Sequence, residues 1–230
     1  MSLHICITGA NRGIGLGLTL SYLQAGHTVW AVMRQPEQAK ELEGARRDYG
    51  NHLHLIEADV TRETDVNRLA EQLGENPIDV LINNAGVLMD PAAPFTDIPL
   101  EVFRATFETN VFGSIAVTQK LIPALKRSKH PILAMISSQM GSLQENTSGG
   151  SYAYRSSKAA LNMILKSLAH DYPWLIAVTL HPGWVQTRMG GPHATTPVAD
   201  SIKGITQILS HLEAKDSGSF LDYKGRRLAW

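Results

Sequence analysis

The sequence predicts a doubly wound α/β sheet, on three observations. Short β-branched or apolar runs recur along all 230 residues. Stretches with a helical apolar period separate most of these runs. The first run ends in a glycine-rich turn that leads straight into such a stretch. Strands alternating with helices pair in parallel, because each crossover helix carries the chain back over one face of the sheet. A single domain over residues 1–230 is expected, since chains divide into separate domains mostly above this length.

The strand candidates are 3–8, 28–33, 52–58, 80–83, 132–137, 176–181 and 220–223, about seven in all. Most are short β-branched or apolar runs, the composition a sheet buried on both faces requires. The helix candidates are 14–25, 37–49, 63–73, 103–125, 153–170 and 198–212. A mainly parallel sheet with helices on both faces, of the Rossmann type, binds its ligand beyond the carboxyl ends of the strands. Loops near 87–97, 139–151 and 183–197 are therefore expected to shape a substrate entrance. Residues 141–150 are small and polar, whereas 183–197 mixes Gly, Pro, Thr and Trp.

Apolar residues make up 43% and charged residues 18%, with a formal net charge of zero. Nothing here attracts nucleic acid or an anionic membrane. No run approaches the ~20 apolar residues of a membrane span. Met1-Ser2-Leu3-His4 passes directly into a strand-like run, so no signal peptide is expected. Cys6 is the lone cysteine and is expected to be a small buried thiol in a cytoplasmic protein. The nine histidines are scattered, and His52 and His54 share a strand face without a third ligand nearby, so no metal is expected.

The turn after the first strand reads Thr8-Gly9-Ala10-Asn11-Arg12-Gly13-Ile14-Gly15. Glycines at this place permit a tight turn and close backbone approach to a pyrophosphate at a helix N-terminus. Three residues separate Gly9 from Gly13, so this is not the Gly-x-Gly-x-x-Gly fingerprint. The second strand ends Val32-Met33-Arg34 with no acid before Glu37. A carboxylate there would accept a ribose 2′-hydroxyl, whereas Arg34 and Arg12 suit a 2′-phosphate, which favours NADP(H) over NAD(H).

Further along stands Tyr154-Arg155-Ser156-Ser157-Lys158. A separation of four puts the phenol and the ammonium on one helix face, close enough for the cation to favour phenol ionisation. Tyr152 has Ser156 in the corresponding place and lacks that partner.

Together these segments resemble the short-chain dehydrogenase/reductase family, and the resemblance runs over nearly the whole chain. The Thr-Gly-x-x-x-Gly-x-Gly turn matches, which implies cofactor contacts at Gly9, Asn11, Arg12, Gly13, Ile14 and Gly15. Asp59, closing the third strand, resembles the family's adenine-contacting aspartate, with Val60 beside it. Asn83-Asn84-Ala85-Gly86 matches the family's tetrapeptide after the fourth strand, placing Asn84, Ala85 and Gly86 along the cofactor. His181-Pro182-Gly183-Trp184-Val185-Gln186-Thr187 is similar to the segment against the nicotinamide, which implies contacts at Pro182, Gly183, Val185 and Thr187. His181 itself reads as strand-end structure.

The resemblance also implies the catalytic set. Tyr154 would exchange a proton with the substrate oxygen, Lys158 would also hold the nicotinamide ribose, and both Tyr154 and Lys158 would contact the cofactor. Ile136-Ser137-Ser138-Gln139-Met140-Gly141 has the family's Ser-x-x-Gly form and assigns the serine as Ser138, although its spacing to Tyr154 suggests an insertion within 141–150. Asn110 matches the fourth member, which supports a water linking the lysine to solvent. No Gly-x-Ser-x-Gly elbow surrounds either serine, so a serine hydrolase is not indicated.

The function so implied is an NADPH-dependent oxidoreductase that moves hydride between nicotinamide and a carbonyl or alcohol, in the direction of carbonyl reduction. The run from Tyr152 to Asn162 and Trp230 resemble the carbonyl-reductase-like branch that includes sniffer and C-factor proteins. The alternative is an NADP(H)-binding signalling or redox-sensor protein with little or no turnover. A nucleotide-sugar epimerase sharing the Tyr/Lys pair would carry a larger C-terminal region. Leu88, Met89, Met140, Leu143, Trp184 and Met189 would form an apolar substrate pocket if their loops converge. The resemblance implies a homodimer or homotetramer.

Overall fold

Strand β1 (His4–Thr8) lies at the centre of the sheet, hydrogen-bonded in parallel to β2 (Thr28–Met33) on one side and β4 (Val80–Asn83) on the other. The structure, a computed structural model, describes residues 2–90 and 93–230. Beyond β2 lies β3 (Leu53–Glu57), and beyond β4 follow β5 (Ile132–Ile136), β6 (Ile176–His181) and β7 (Ser219–Asp222). The order β3-β2-β1-β4-β5-β6-β7 is parallel throughout. The winding direction reverses between β1 and β4, so a crevice opens there at the carboxyl edge.

Burial on both faces explains the strand sequences. Ile5 and Ile7 of β1 point into a core with Leu18 and Leu23 of α1 (Gly13–Gln24), Leu42 of α2 (Lys40–Tyr49) and Ile205 of α7 (Val198–His211). Cys6, between them, points the other way, into a core with Leu69 of α3 (Glu63–Leu73), Leu121 of α5 (Gly113–Lys126) and Leu165 of α6 (Tyr152–Asp171). Neighbouring residues thus serve opposite helix layers. Burial pushes the Cys6 thiol up to about 12, leaving it inert as a nucleophile.

Three expectations need correction. The helix expected over 103–125 is two helices, α4 (Leu100–Phe107) and α5, joined by a π-helical turn at Glu108–Phe112. One extra residue in a turn leaves the apolar period almost intact, so the sequence pattern runs through it. The helix expected from Glu37 starts at Lys40, because Pro36 opens a separate 3₁₀ turn ending at Gln38. Asp59 does not close β3, which ends two residues earlier at Glu57. The other strand and helix ends agree with expectation to within one residue, the usual fraying range. Among the described residues, no helix is long and apolar enough to cross a membrane.

Candidate active site

The turn between β1 and α1 is built for backbone close approach. Gly9 and Gly13 take positive φ of 66° and 54°, a region that L side chains avoid. A Cβ on Gly15 would lie 2.2 Å from the Gly9 carbonyl oxygen, so only glycine fits there. Asn11 and Ile14 flank these glycines, with Ile14 packed against the core below. The helix N-terminus has neither a side-chain cap nor an acid in its first turn, leaving its N–H groups and positive dipole for an anion. These features fit the pyrophosphate of a dinucleotide.

The fourth-strand tetrapeptide braces this turn across the crevice. Thr8 Oγ1 accepts the N–H groups of Asn84 and Ala85 at 3.0 Å each. Asn84 Nδ2 donates to the carbonyls of Thr8 at 2.9 Å and Gly9 at 3.1 Å. Asn83 turns inward instead and donates to Thr118 Oγ1 at 2.8 Å.

The cationic corner differs in detail from the sequence reading. Arg34 lies 4.0 Å from the Asp59 carboxylate, so an acid does stand near the end of β2, contributed by the neighbouring strand's loop. The pair is largely solvated on the arginine side, hence weak. Asp59 Oδ1 is occupied by the Thr61 N–H at 3.0 Å and hydroxyl at 2.8 Å. Val60 is buried against Gly113, where a Cβ would stand 2.7 Å from its methyl. Partial burial first, then the charges of Arg188 and Arg34, pull the Arg12 guanidinium below its ordinary value. Arg188 is thus a third cation of this corner, signalled in the sequence only by its place after Thr187.

At the carboxyl end of β5 the two serines separate. The Ser137 hydroxyl donates to Asn162 Oδ1 at 2.6 Å inside the core. Ser138 stands near enough to the Tyr154 hydroxyl to favour its ionised form, and its Oγ accepts the Met140 N–H at 3.1 Å. The glycine of Ser-x-x-Gly has a packing reason: a Cβ on Gly141 would sit 2.8 Å from Lys158 Cβ. The serine turn therefore rests directly on α6.

Tyr154 and Lys158 share a face of α6, the Lys158 Nζ lying 5.6 Å from the Tyr154 ring centre. The expectation of an acidified phenol fails. Desolvation pushes the Tyr154 hydroxyl up to about 12, with the Ser138 side chain pulling the opposite way. Burial also lowers Lys158 to about 8, and its Nζ donates to the Ile136 carbonyl at 2.8 Å. Helical spacing brings the pair together but says nothing about how dry the place is.

Asn110 sits fully buried in the π turn, an irregularity frequent at functional sites. Its Oδ1 accepts the Val87 N–H at 2.8 Å, and its Nδ2 donates to the Val87 carbonyl at 2.9 Å and Ser157 Oγ at 3.0 Å. A Cβ on Gly86 would lie 3.3 Å from Asn110 Oδ1 and 3.6 Å from Lys158 Nζ, so the two side chains meet over that glycine.

The segment after β6 folds down toward the glycine turn, with Thr187 Cγ2 3.2 Å from where a Gly13 Cβ would be. Pro182 accepts the Ser201 hydroxyl at 2.7 Å, Gly183 has φ of 90°, and buried Val185 bridges to Thr196. Thr187 Oγ1 accepts the Gly190 N–H at 3.3 Å. His181 is held near 4 chiefly by burial and is neutral at ordinary pH.

A model of the short chain dehydrogenases matches residues 3–197. The chain belongs to the short-chain dehydrogenase family. It is 45% identical over 156 residues to C-signal of Myxococcus xanthus, covering 67% of this chain and 93% of that one. Its fold matches the solved carbonyl reductase Sniffer of D. melanogaster at a TM-score of 0.95 with 36% identity, covering all of both chains. The NADPH-bound carbonyl reductase from chicken fatty liver matches at 0.93 with 32% identity, again covering both chains in full.

In this short-chain dehydrogenase the apolar loop residues do not all face one pocket. Met140 and Leu143 line a groove of about 360 Å³ with Tyr152, Arg155 and Ala159. By helical spacing Tyr152 and Ala159 lie about 100° or more around α6 from both Tyr154 and Lys158, with Arg155 between the two faces. Leu88, Met89, Trp184 and Met189 remain as exposed bulky groups on the other two loops. Sequence reading missed Asp90, which accepts the N–H groups of Ala153 at 2.7 Å and Tyr154 at 2.9 Å. No spacing rule links residues so far apart in the chain. Away from the crevice, His52 Nδ1 meets Thr28 Oγ1 at 3.2 Å and His54 stacks on Trp30.

Proposed function

We propose that this protein is an NADPH-dependent reductase of carbonyl compounds. The observation that carries this reading is the meeting of Ser138, Tyr154 and Lys158 at the carboxyl edge of the sheet, beside a glycine turn that admits only backbone. The NADPH-bound carbonyl reductase among its structural neighbours supports the cofactor and the direction.

Gly9, Asn11, Arg12, Gly13, Ile14 and Gly15 would hold the pyrophosphate side of the cofactor, with Arg12 and Arg34 at the 2′-phosphate. Asp59, Val60, Asn84, Ala85 and Gly86 would line its path, and Pro182, Gly183, Val185 and Thr187 its nicotinamide end. When bound, the reduced nicotinamide supplies hydride to the carbonyl carbon. Ser138 donates a hydrogen bond to the carbonyl oxygen as negative charge develops there. Tyr154 delivers the proton to the same oxygen, a role suited to a phenol held at about 12 and hence fully protonated at neutral pH. Lys158 keeps positive potential beside the phenolate that remains, and Asn110 anchors the loop against which Lys158 lies.

The exposed apolar side chains on loops 87–97 and 183–197 favour an apolar carbonyl compound, with loop 139–151 supplying Ser138's surroundings. Cytoplasmic location and a homodimer or homotetramer go with the family reading. A second reading, a sensor or signalling protein with little turnover, draws on the likeness to C-signal. The test is NADPH oxidation by the purified protein over a panel of aldehydes, ketones and quinones, repeated with NADH. Turnover of at least one carbonyl class with NADPH in preference is expected. No turnover above background with any compound would move the protein to the second reading, and turnover with NADH alone would overturn the cofactor.

A further inference from the structure

The geometry points to Asp90 as a positioning residue that fixes the backbone of Tyr154 from the loop after β4. The inference rests on the reading of Tyr154 as proton donor. Helix α6 begins with a defect in its own cap. Ser151 has the residue type that ordinarily caps a helix, yet its φ of 44° makes it the only non-glycine residue with positive φ among those described, and its side chain makes no capping bond. The N–H groups it would have taken belong to Ala153 and Tyr154, and both go to the two oxygens of the Asp90 carboxylate, at 2.7 and 2.9 Å. The cap is thus supplied by a segment 63 residues away, and its charge suits the positive helix end.

The same short loop also grips the other side of Tyr154. Val87, three residues before Asp90, is held at both its N–H and its carbonyl by Asn110. Asn110 donates to Ser157 Oγ at 3.0 Å, and the Ser157 hydroxyl donates to the Tyr154 carbonyl at 2.7 Å. Tyr154 is therefore clamped at its N–H by one end of residues 87–90 and at its carbonyl, through Asn110 and Ser157, by the other. Leu88 and Met89 lie between the two anchors and are exposed. A substrate resting on these two side chains would load a segment tied directly to the proton donor.

The test compares Asp90→Ala and Asp90→Asn with the parent protein and with Tyr154→Phe. Expected for Asp90→Ala is a fall in kcat of about 10- to 100-fold, the scale of a small misplacement of a reacting group. NADPH affinity should stay within about twofold, because the Asp90 carboxylate binds backbone N–H groups of α6 and not the glycine turn. Asp90→Asn keeps an acceptor and should recover part of the loss. In the protein without substrate, the Ala153 and Tyr154 amides should exchange with solvent at least about tenfold faster in Asp90→Ala, while amides of the β5 core stay protected. Unchanged kcat and unchanged exchange at these amides would overturn the inference. A lower melting temperature with kcat per folded molecule intact would reduce Asp90 to a stabilising cap and overturn it equally. If Tyr154→Phe retains full turnover, the proton-donor reading falls first, and the exchange measurement still decides whether Asp90 holds the helix.

Discussion

The Lys158 ammonium stands 5.6 Å from the centre of the Tyr154 ring yet spends a hydrogen bond on the Ile136 carbonyl, 2.8 Å away. Both groups are dry, and dryness moves them in opposite senses, the phenol up to about 12 and the lysine down to about 8. Burial disfavours the charged form at both positions, although a lysine at about 8 still carries its charge at neutral pH. Carbonyl reduction asks the tyrosine to arrive with its proton, and this environment ensures that it does.

The pH dependence follows. In the kcat/KM profile for carbonyl reduction, which reports groups of the free enzyme, the tyrosine stays protonated throughout the accessible range. Lys158 loses its charge near 8. The profile should be level below pH 7 and decline above about pH 8. A profile level to pH 10 would show that the lysine's charge is not needed.

Lys158 should also cost stability. Its pKa falls from 10.5 to about 8 on folding, so below pH 8 both folded and unfolded chains carry the proton and the penalty is fully present. Between pH 8 and 10.5 the folded chain has released it while the unfolded chain still holds it, and stability rises with pH. At about 1.4 kcal/mol per unit the penalty is roughly 3 kcal/mol at neutral pH. Lys158→Met should melt higher than the parent at pH 7, and the gap should close as pH rises toward 10. A gap that is absent, reversed or independent of pH in thermal melts would contradict this.

The glycine cradle is testable by a single methyl. In Gly15→Ala the new Cβ would meet the Gly9 carbonyl at 2.2 Å, and backbone cannot yield as a flexible side chain can. A loss of about 1–3 kcal/mol is expected from overpacking, together with loss of NADPH binding measured by fluorescence titration. Parent-like affinity would mean that the turn opens without cost.

Much of the fold was legible because the strands are buried on both faces. A run such as Thr28–Met33 is buried at every position and reads as a strand, and parallel pairing followed from alternation with helices. The π turn at Asn110 was not legible, since one inserted residue barely disturbs an apolar stripe. In the site, Tyr154 and Lys158 could be paired by spacing, but their titration could not be read from it, because desolvation is set by α6 packing under the Ser138 turn. Ser138 stood apart from Ser137 only by family pattern; their different partners are a matter of which way each points at the strand end. Asp90 carries no local signature at all, and Arg188 only its place after Thr187. Their partners come from other elements, and the Arg34 reading missed Asp59 for the same reason.

The cationic corner should set cofactor choice. Arg12→Ala and Arg34→Glu should each weaken NADPH binding about tenfold or more, the scale of a lost charge-assisted hydrogen bond, with NADH affected little. Arg188→Ala should act in the same sense, since Arg188 adds its charge to the same corner. Equal losses for both cofactors in equilibrium titrations would mean that these side chains do not read the 2′-phosphate.

The most direct measurement is a single-turnover comparison of the parent protein and Tyr154→Phe, each saturated with NADPH, on the best carbonyl compound from the panel. Removal of the phenolic proton, with the ring and Lys158 left in place, should slow cofactor oxidation by about 10²-fold or more while NADPH affinity holds. Equal rates in the two proteins would show that no proton passes from Tyr154 to the substrate oxygen.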